Sequence, residues 1–405
     1  MELLLLRSVR SGRRNGRPAR HRLQLWHLIH DVSSSGCVYS RRFEAMTKVV
    51  ILLGAGATVA DVATRPRKDR PPLDRRFFAE ALLSRPADVA AVARYVRNTY
   101  EIDILSEEYD RLEGVMGLIY TDLFNPTLES DALSAFRRLL QLFTRRLAST
   151  TNSIPATNKR LLYRMIAHYL SHGVRPQDLT LLTFNQDIQV EKMLALMSAV
   201  ERWKSQRDQI FSFPHLYSFA SAPTVSQPAG GAPDEQFDRR GDEENFIRLL
   251  KLHGSLNWYS SHSNREPSRT AMFAPDRAIS ITRRKEIDPA MTLQSTQRSM
   301  YTLPVVVPPV SHKSSVLHRD MSHLWQLAER RLRDADDIVV FGYSCPISDV
   351  ESSNQLRRSQ ARRSTPANFS VIDPSPSVAE RYIRLTEARC LHYYASGHSF
   401  LEHVS

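Results

Sequence analysis

The stretch VVILLGAGAT, residues 49–58, decides the fold. Its five apolar residues are enough for one buried strand, and they run directly into a turn of small residues followed by a threonine. This order is typical of a strand that enters a helix through a tight turn, where backbone N–H groups face the phosphates of a ligand. We therefore expect Gly54, Ala55, Gly56 and Thr58 to bind a phosphate group. The alternative is a purely structural turn.

Two further apolar segments end in polar side chains. LLTFNQD, residues 181–187, places Asn185 and Asp187 after a strand, and LLKLHGS, residues 249–255, places His253 there. Ligands of open α/β sheets bind at the carboxyl ends of the strands, so these three side chains are candidates for a ligand site. Each also has a structural alternative: a turn residue for Asn185, a helix N-cap for Asp187, and a packed or surface histidine for His253.

The rest of the chain alternates apolar strands with amphipathic helices. Strands are predicted at residues 179–184, 246–252, 304–307, 337–343, 369–372 and 390–394, and later helices at 316–333 and 375–386. Residues 73–177 are predicted to be helical, because Leu133, Phe136, Leu140, Phe143 and Leu147 recur at spacings of three and four. The alternation indicates an α/β protein with a doubly wound parallel sheet and a helical insertion.

In their order along the chain, these motifs resemble those of the sirtuin (SIR2) superfamily. G-A-G-A-T is similar to its G-A-G-x-S/T turn, T-F-N-x-D-x-x-x-E to its Q-N-I-D motif, and K-L-H-G-S to its catalytic His-Gly. F-G-Y-S, with Gly342 and Ser344, resembles the G-T-S motif, and V-I-D-P, with Asp373, stands where the family has its adenosine-binding I-N. The resemblance covers residues 49–404 at five points and implies a Rossmann-like fold that binds NAD+.

The resemblance also implies a role for each candidate. Asn185 would orient a water and the ribose near the scissile bond, and Asp187 would lie by the nicotinamide carboxamide. His253 would contact the ribose hydroxyls and serve as base, work that suits a histidine because the imidazole titrates near neutral pH.

The adenosine side of NAD+ would lie against the later motifs. Gly342 and Ser344 would meet the phosphates and the adenosine ribose. The Asp373 carboxylate would accept both ribose hydroxyls, which favours NAD+ over its 2′-phosphorylated form.

Two departures from the sirtuin pattern narrow the expected function. The G-I-P-D-F-R loop is replaced by TRPRKDRPPLDRRFF, residues 64–78, whose PPL-x-x-x-FF form resembles divergent bacterial SIR2-like families, so the nicotinamide-side loop receives no assignment. The cysteines Cys37, Cys345 and Cys390 form no C-x-x-C pair and cannot build a four-cysteine zinc site. No zinc is expected, and the cysteine content fits a reducing cytoplasm.

These features favour an NAD+ hydrolase that releases nicotinamide and ADP-ribose or its cyclic form. A sirtuin-type deacylase or ADP-ribosyltransferase is the first alternative, but it predicts the missing zinc module. A subunit that binds the nucleotide without chemistry is the second, and it predicts loss of Asn185 or His253, both of which are present. By resemblance, zinc-free SIR2-like proteins are often anti-phage effectors that deplete NAD+ when triggered.

Control of such an enzyme would come from homo-oligomerisation or from a partner such as an ATPase or an Argonaute-type protein. No apolar run is long enough to span a membrane, so no membrane association is expected. Direct nucleic-acid binding is not expected either, because basic clusters such as Arg357-Arg358 lack interleaved aromatic residues.

Two regions are predicted along the chain: a leader at residues 1–45 and one domain at 46–405. The leader holds nine arginines against three acidic residues, half of the formal net charge of +12. We expect it to be disordered or not native, with a nucleic-acid-binding arm or a transit peptide as alternatives. Within the domain, flexible loops are expected at residues 212–244 and 260–298.

Overall fold

The structure is a computed structural model, and it describes residues 29–31, 47–63, 76–106, 108–200, 216–217, 224–226, 246–263, 279–282, 295–296, 300–307, 319–346, 349–388 and 391–404. The strands are Ile29–Asp31 (β1), Val49–Leu53 (β2), Leu179–Thr183 (β3), Thr224–Ser226 (β4), Arg248–Lys251 (β5), Gly254–Ser263 (β6), Ile279–Thr282 (β7), Ser295–Thr296 (β8), Met300–Val306 (β9), Asp337–Phe341 (β10), Asn368–Ile372 (β11) and Leu391–Tyr394 (β12). The helices are Ala55–Asp61 (α1), Phe77–Leu82 (α2), Pro86–Tyr100 (α3), Leu112–Asp122 (α4), Glu129–Ser153 (α5), Leu161–Ser171 (α6), Gln189–Ala199 (α7), Arg319–Asp334 (α8), Val350–Ala361 (α9), Pro376–Thr386 (α10) and Gly397–Val404 (α11).

The larger sheet is parallel throughout, in the order β1-β12-β11-β10-β2-β3-β5. Every residue of β2 and of β3 is buried. Continuous burial is expected of central strands in a parallel sheet with helices on both faces, and it explains why VVILL is apolar at consecutive positions rather than alternate ones. The predicted Rossmann-like α/β fold is confirmed.

The chain winds away from β2 in two directions. It adds β3 and β5 on one side, and then returns to add β10, β11 and β12 on the other. The switch point lies between β2 and β10, which pair directly from Val49 with Asp337 to Leu53 with Phe341. In doubly wound sheets, the crevice at the carboxyl ends of such strands is where ligands bind.

Helices α2 to α6 form the insertion between β2 and β3, and α2 to α5 bury a hydrophobic core of their own, whereas α6 packs into the core of the parallel sheet. Phe136, Phe143 and Leu147 of α5 lie in this core, and Leu133 and Leu140 pack against it, as their spacing predicts. The core also takes in Ile188 and Leu256, which follow β3 and β5. The insertion therefore packs against the two segments that carry Asp187 and His253.

A second sheet, in the order β4-β7-β6-β9-β8, contains the strand predicted at residues 304–307. That segment is part of β9, which pairs antiparallel with β6 and takes no place in the parallel sheet. The prediction of a strand was correct but its sheet was wrong. A short apolar run does not reveal which partner it pairs with, because period and length are the same in both sheets.

Short strands also occur where loops or an unstructured leader are expected. β1 lies within the leader and pairs with β12. β4 lies within residues 212–244, and β7 and β8 lie within 260–298. The flexibility expected for the leader and for both loops stays a prediction. The remainder of the leader, and most of both loops, lies outside the described residues.

In the part of the chain that the structure describes, none of the helices combines the length and the apolar character needed to cross a bilayer.

Candidate functional site

The turns that follow β2 and β10 pack against each other through glycines. The Gly54 N–H donates to the Phe341 carbonyl at 3.1 Å, and the Gly56 N–H donates to the Gly342 carbonyl at 2.9 Å. A Cβ atom on Gly54 or Gly342 would overlap the backbone of the facing turn, and Gly342 has a φ of 61°, which favours glycine.

This packing changes the expected role of the Gly-rich turn. Two of its N–H groups are bound to carbonyls of the protein, so the glycines serve first to bring β2 and β10 together at their carboxyl ends. Ala55, at the first position of α1, is exposed. The predicted contact of Gly54, Ala55 and Gly56 with phosphate stays a prediction.

Asn185 is half-buried and bonds directly to this turn. Its Nδ2 donates to the Gly54 carbonyl at 2.9 Å and approaches Thr58 Oγ1 at 3.3 Å, while its backbone N–H donates to Thr183 Oγ1 at 3.0 Å. The amide N–H groups of the side chain are therefore used inside the protein. The carbonyl oxygen Oδ1 is the atom of Asn185 suited to accept a hydrogen bond from a water or a ribose hydroxyl.

Thr58 and Asp187 are both buried and lie on the other side of Asn185. The Thr58 hydroxyl donates to Asp187 Oδ2 at 3.3 Å, and Asp187 Oδ1 accepts the Gln189 N–H, at the start of α7, at 2.9 Å. Both carboxylate oxygens thus have donors, and the bond to the Gln189 N–H lies at the entry to α7, whose N-cap residue is Ile188. Asp187 holds Thr58 and α7 in place, and Thr58 in turn contacts Asn185.

His253 lies beside the residue that precedes Asn185. Its ring centroid is 5.0 Å from that of Phe184, and the Trp325 ring is 6.2 Å away. Phe184 also stacks on Tyr343 at 4.2 Å. Phe184 therefore forms a common wall between the ends of β3, β5 and β10, with Asn185 and His253 next to it.

An acidic residue faces the imidazole. Asp349 Oδ2 lies 3.8 Å from His253 Nε2 and accepts a 2.6 Å hydrogen bond from the Tyr343 hydroxyl. Burial and the Asp349 charge raise the pKa of Tyr343 well above its ordinary value, so the phenol stays protonated and continues to donate. Asp349 is placed to stabilise a protonated His253.

A fully buried lysine, which the sequence patterns above do not single out, lies beneath these residues. Lys251 Nζ donates to the backbone carbonyl of Asp187 and forms a 2.9 Å ion pair with Glu191 Oε1. Tyr217 also donates to Glu191 Oε1, at 2.8 Å, and receives a 2.8 Å hydrogen bond from Asn257. The network joins the end of β5 to the segment that carries Asn185 and Asp187.

The adenosine-side candidates follow β10 and β11. Ser344 is exposed, and its carbonyl accepts a 2.6 Å hydrogen bond from Arg381 Nη1. Asp373 is partly buried, its Oδ1 accepts the Ser375 N–H at 2.9 Å, and burial raises the pKa of its carboxyl group. Arg381 therefore fixes the loop that holds Ser344. The sequence gives no signal of this role, because Arg381 is a single arginine on an amphipathic helix.

The structure therefore brings Gly54, Thr58, Asn185 and Asp187 into direct contact, with His253 next to them across Phe184. Gly342 joins the group through its turn. Ser344 and Asp373 follow the neighbouring strands β10 and β11, where they bond to Arg381 and to the Ser375 N–H.

A comparison of the sequence with protein-family models, and another with curated proteins, finds no match. The resemblance to SIR2-like proteins consequently rests on the five motifs alone.

Proposed function

We propose that the protein is an NAD+ hydrolase that cleaves the nicotinamide N-glycosidic bond. The observation that carries the proposal is the meeting of Asn185 and His253 beside the Gly-rich turn, at the switch point of a doubly wound sheet. An acceptor amide, an imidazole and a glycine turn at one such edge suit a ligand with a ribose and phosphates. Release of nicotinamide from NAD+ by the purified protein is the direct test.

In the proposed reaction, positive charge develops on the nicotinamide ribose as the bond to nicotinamide breaks. Asn185 Oδ1 would orient the attacking water, because its amide N–H groups are fixed by Gly54 and Thr58. His253 would accept a proton from a ribose hydroxyl or from the water, and the nearby Asp349 carboxylate would stabilise the resulting imidazolium.

The geometry gives Asp187 a positioning role in this proposal. Its two oxygens bind the Thr58 hydroxyl and the α7 N–H, which leaves Asn185 and His253 as the residues that would touch the substrate. Gly342 and Ser344 are proposed to lie near the phosphates, and Asp373 near the adenosine ribose.

We further propose that the enzyme is an anti-phage effector whose activity is held in check by oligomerisation or by a partner protein such as an ATPase or an Argonaute-type sensor. Support comes from the helical insertion, whose core includes Ile188 and Leu256. A shift of this core would move the segments next to Asp187 and His253, so the insertion is suited to transmit a trigger to the site.

The Thr58 hydroxyl provides a first test of the site. Thr58→Val keeps the shape of the side chain but removes the donor to Asp187 and the acceptor for Asn185. A buried hydrogen-bonding group left without its partner costs roughly 1 to 3 kcal/mol of free energy. Because this cost falls on the groups that position Asn185, we expect the rate of nicotinamide release to fall by about tenfold. Thr121→Val, at an exposed position of α4, is the control, and an equal rate in Thr58→Val and wild type would contradict this use of Thr58.

Metal content tests the choice between hydrolase and deacylase. Because three cysteines without a C-x-x-C pair cannot form a four-cysteine cage, we expect purified protein to contain far less than one zinc per chain and to keep its NAD+ cleavage in EDTA. Cys345 is buried after β10, while Cys37 and Cys390 lie outside the described residues. Elemental analysis that finds one zinc per chain would remove the argument against a deacylase.

A further inference from the structure

A cavity of about 290 Å³ opens at the amino-terminal edge of the parallel sheet, the edge opposite the candidate site. The cavity is lined by residues at the amino-terminal ends of three neighbouring strands: Val49 of β2, Thr180 of β3 and Arg248 of β5. Helix α8 covers one side with Leu327 and Arg331. Strands of four or five residues separate the cavity from the proposed NAD+ site by roughly 13 Å, so the two are distinct.

Positive charge dominates the lining. Its charged or titratable members are Lys48, Asp178, Arg248, His323, Arg330, Arg331 and Asp334. Both acids already have arginine partners that do not line the cavity: Asp178 bonds to Arg175 at 2.6 Å, and Asp334 bonds to Arg333 at 3.1 Å. Among the described residues, the lining thus holds four lysine and arginine side chains against two carboxylates, and both carboxylates also bond to arginines outside the cavity.

Two of the arginines are part of the same lining. Arg248 and Arg331 both line the cavity and both are partly buried. Burial lowers the pKa of Arg331, the charge of Arg248 lowers it further, and Asp178 and Asp334 act in the opposite direction. Two cations that repel each other across a concave space gain most from an anion placed between them.

We propose that this cavity binds a small phosphate-bearing ligand between Arg248 and Arg331. The planar guanidinium group donates two parallel hydrogen bonds to a phosphate, which makes paired arginines the usual phosphate ligands at a shaped site. The volume lies at the lower end of the range for small-molecule pockets and suits one phosphate with a small attached group. Val49, Val50 and Leu327 give that group an apolar surface.

The test is calorimetric titration of the full chain with inorganic phosphate, at low ionic strength, with chloride as the reference anion. We expect saturable binding of one phosphate that saturating NAD+ does not displace, together with a rise in melting temperature, because the ligand binds only the native state. Arg331→Gln and Arg248→Gln should each weaken binding by about tenfold or more, since each removes a charge-assisted pair of hydrogen bonds.

Arg97→Gln is the matched control, because Arg97 is exposed in the helical insertion and its removal changes the net charge equally. It should bind phosphate as wild type does. No saturable binding at millimolar phosphate, or equal binding in wild type and in both folded cavity variants, would overturn the proposal. NAD+ cleavage is not the readout, so the result is independent of the proposed hydrolase activity.

Discussion

Asn185→Ala and His253→Ala are each expected to lower the rate of nicotinamide release from NAD+ by about 100-fold or more, the usual loss for a positioned acid, base or water ligand. The two side chains end different strands, yet both lie next to Phe184 at the edge where the Gly-rich turn begins. Removal of Asn185 takes away the acceptor proposed for the water, and removal of His253 takes away the proposed base. Nicotinamide is quantified after incubation of each purified variant with NAD+.

Two exposed residues of the same types serve as controls. Asn354→Ala on α9 and His398→Ala on α11 should keep the wild-type rate. Because Asn185 also holds Gly54 in place, Asn185→Asp provides a second variant of the same size, and the melting temperature of every variant is measured. Wild-type rates in folded Asn185→Ala and His253→Ala would place the site elsewhere, and deacylation of an acyl-lysine peptide by the parent protein would favour the sirtuin-type alternative.

Lys251→Met is expected to destabilise the protein by about 3 to 5 kcal/mol, because it leaves the Glu191 carboxylate buried without its cation. Lys251 is 0% exposed and the Glu191 side chain 8%, so water cannot replace the lost partner. The double variant Lys251→Met with Glu191→Leu removes both charges and should regain part of the loss, because Tyr217 and the Asp187 carbonyl still lose their partners. Urea unfolding followed by circular dichroism measures the free energy of each variant.

An exposed ion pair gives the comparison. Arg97 and Asp103 are 3.7 Å apart with more than half of each side chain exposed, so Arg97→Met should change stability little. Two outcomes would show that the ion pair does not hold β5 to the segment after β3. One is that Lys251→Met lowers the free energy of unfolding no more than Arg97→Met does. The other is that the double variant is no more stable than Lys251→Met.

The parts of the fold that could be predicted are those with a local signal. VVILL is apolar at five consecutive positions because β2 is covered on both faces. Asn185 and His253 are candidates because polar residues directly follow such strands, and their catalytic role stays a prediction. The apolar face of α5 could be predicted because its residues recur at spacings of three and four, which is a local signal. Each of these features is contained in about ten residues of sequence.

The parts that could not be predicted depend on a distant partner. The segment at residues 304–307 gives the same apolar signal whether it pairs with β6 or with a strand of the parallel sheet. Lys251 gives no sign of its ion pair until Glu191 is placed beside it. Arg381 likewise has a role only because the loop with Ser344 folds next to it. Such pairings are tertiary information that period and composition do not carry.

The glycine contact between the turns after β2 and β10 also sets an order of events during synthesis. Gly56 bonds to Gly342, whose codon is read 286 positions later (342 − 56), and β2 has no neighbour on that side before β10 is made. At elongation rates of about 5 to 20 residues per second, this interval lasts roughly 15 to 60 seconds. A ribosome-bound chain would therefore carry Asn185 and His253 before the crevice beside β2 is complete, and the proposed hydrolase would stay inactive until β10 has emerged.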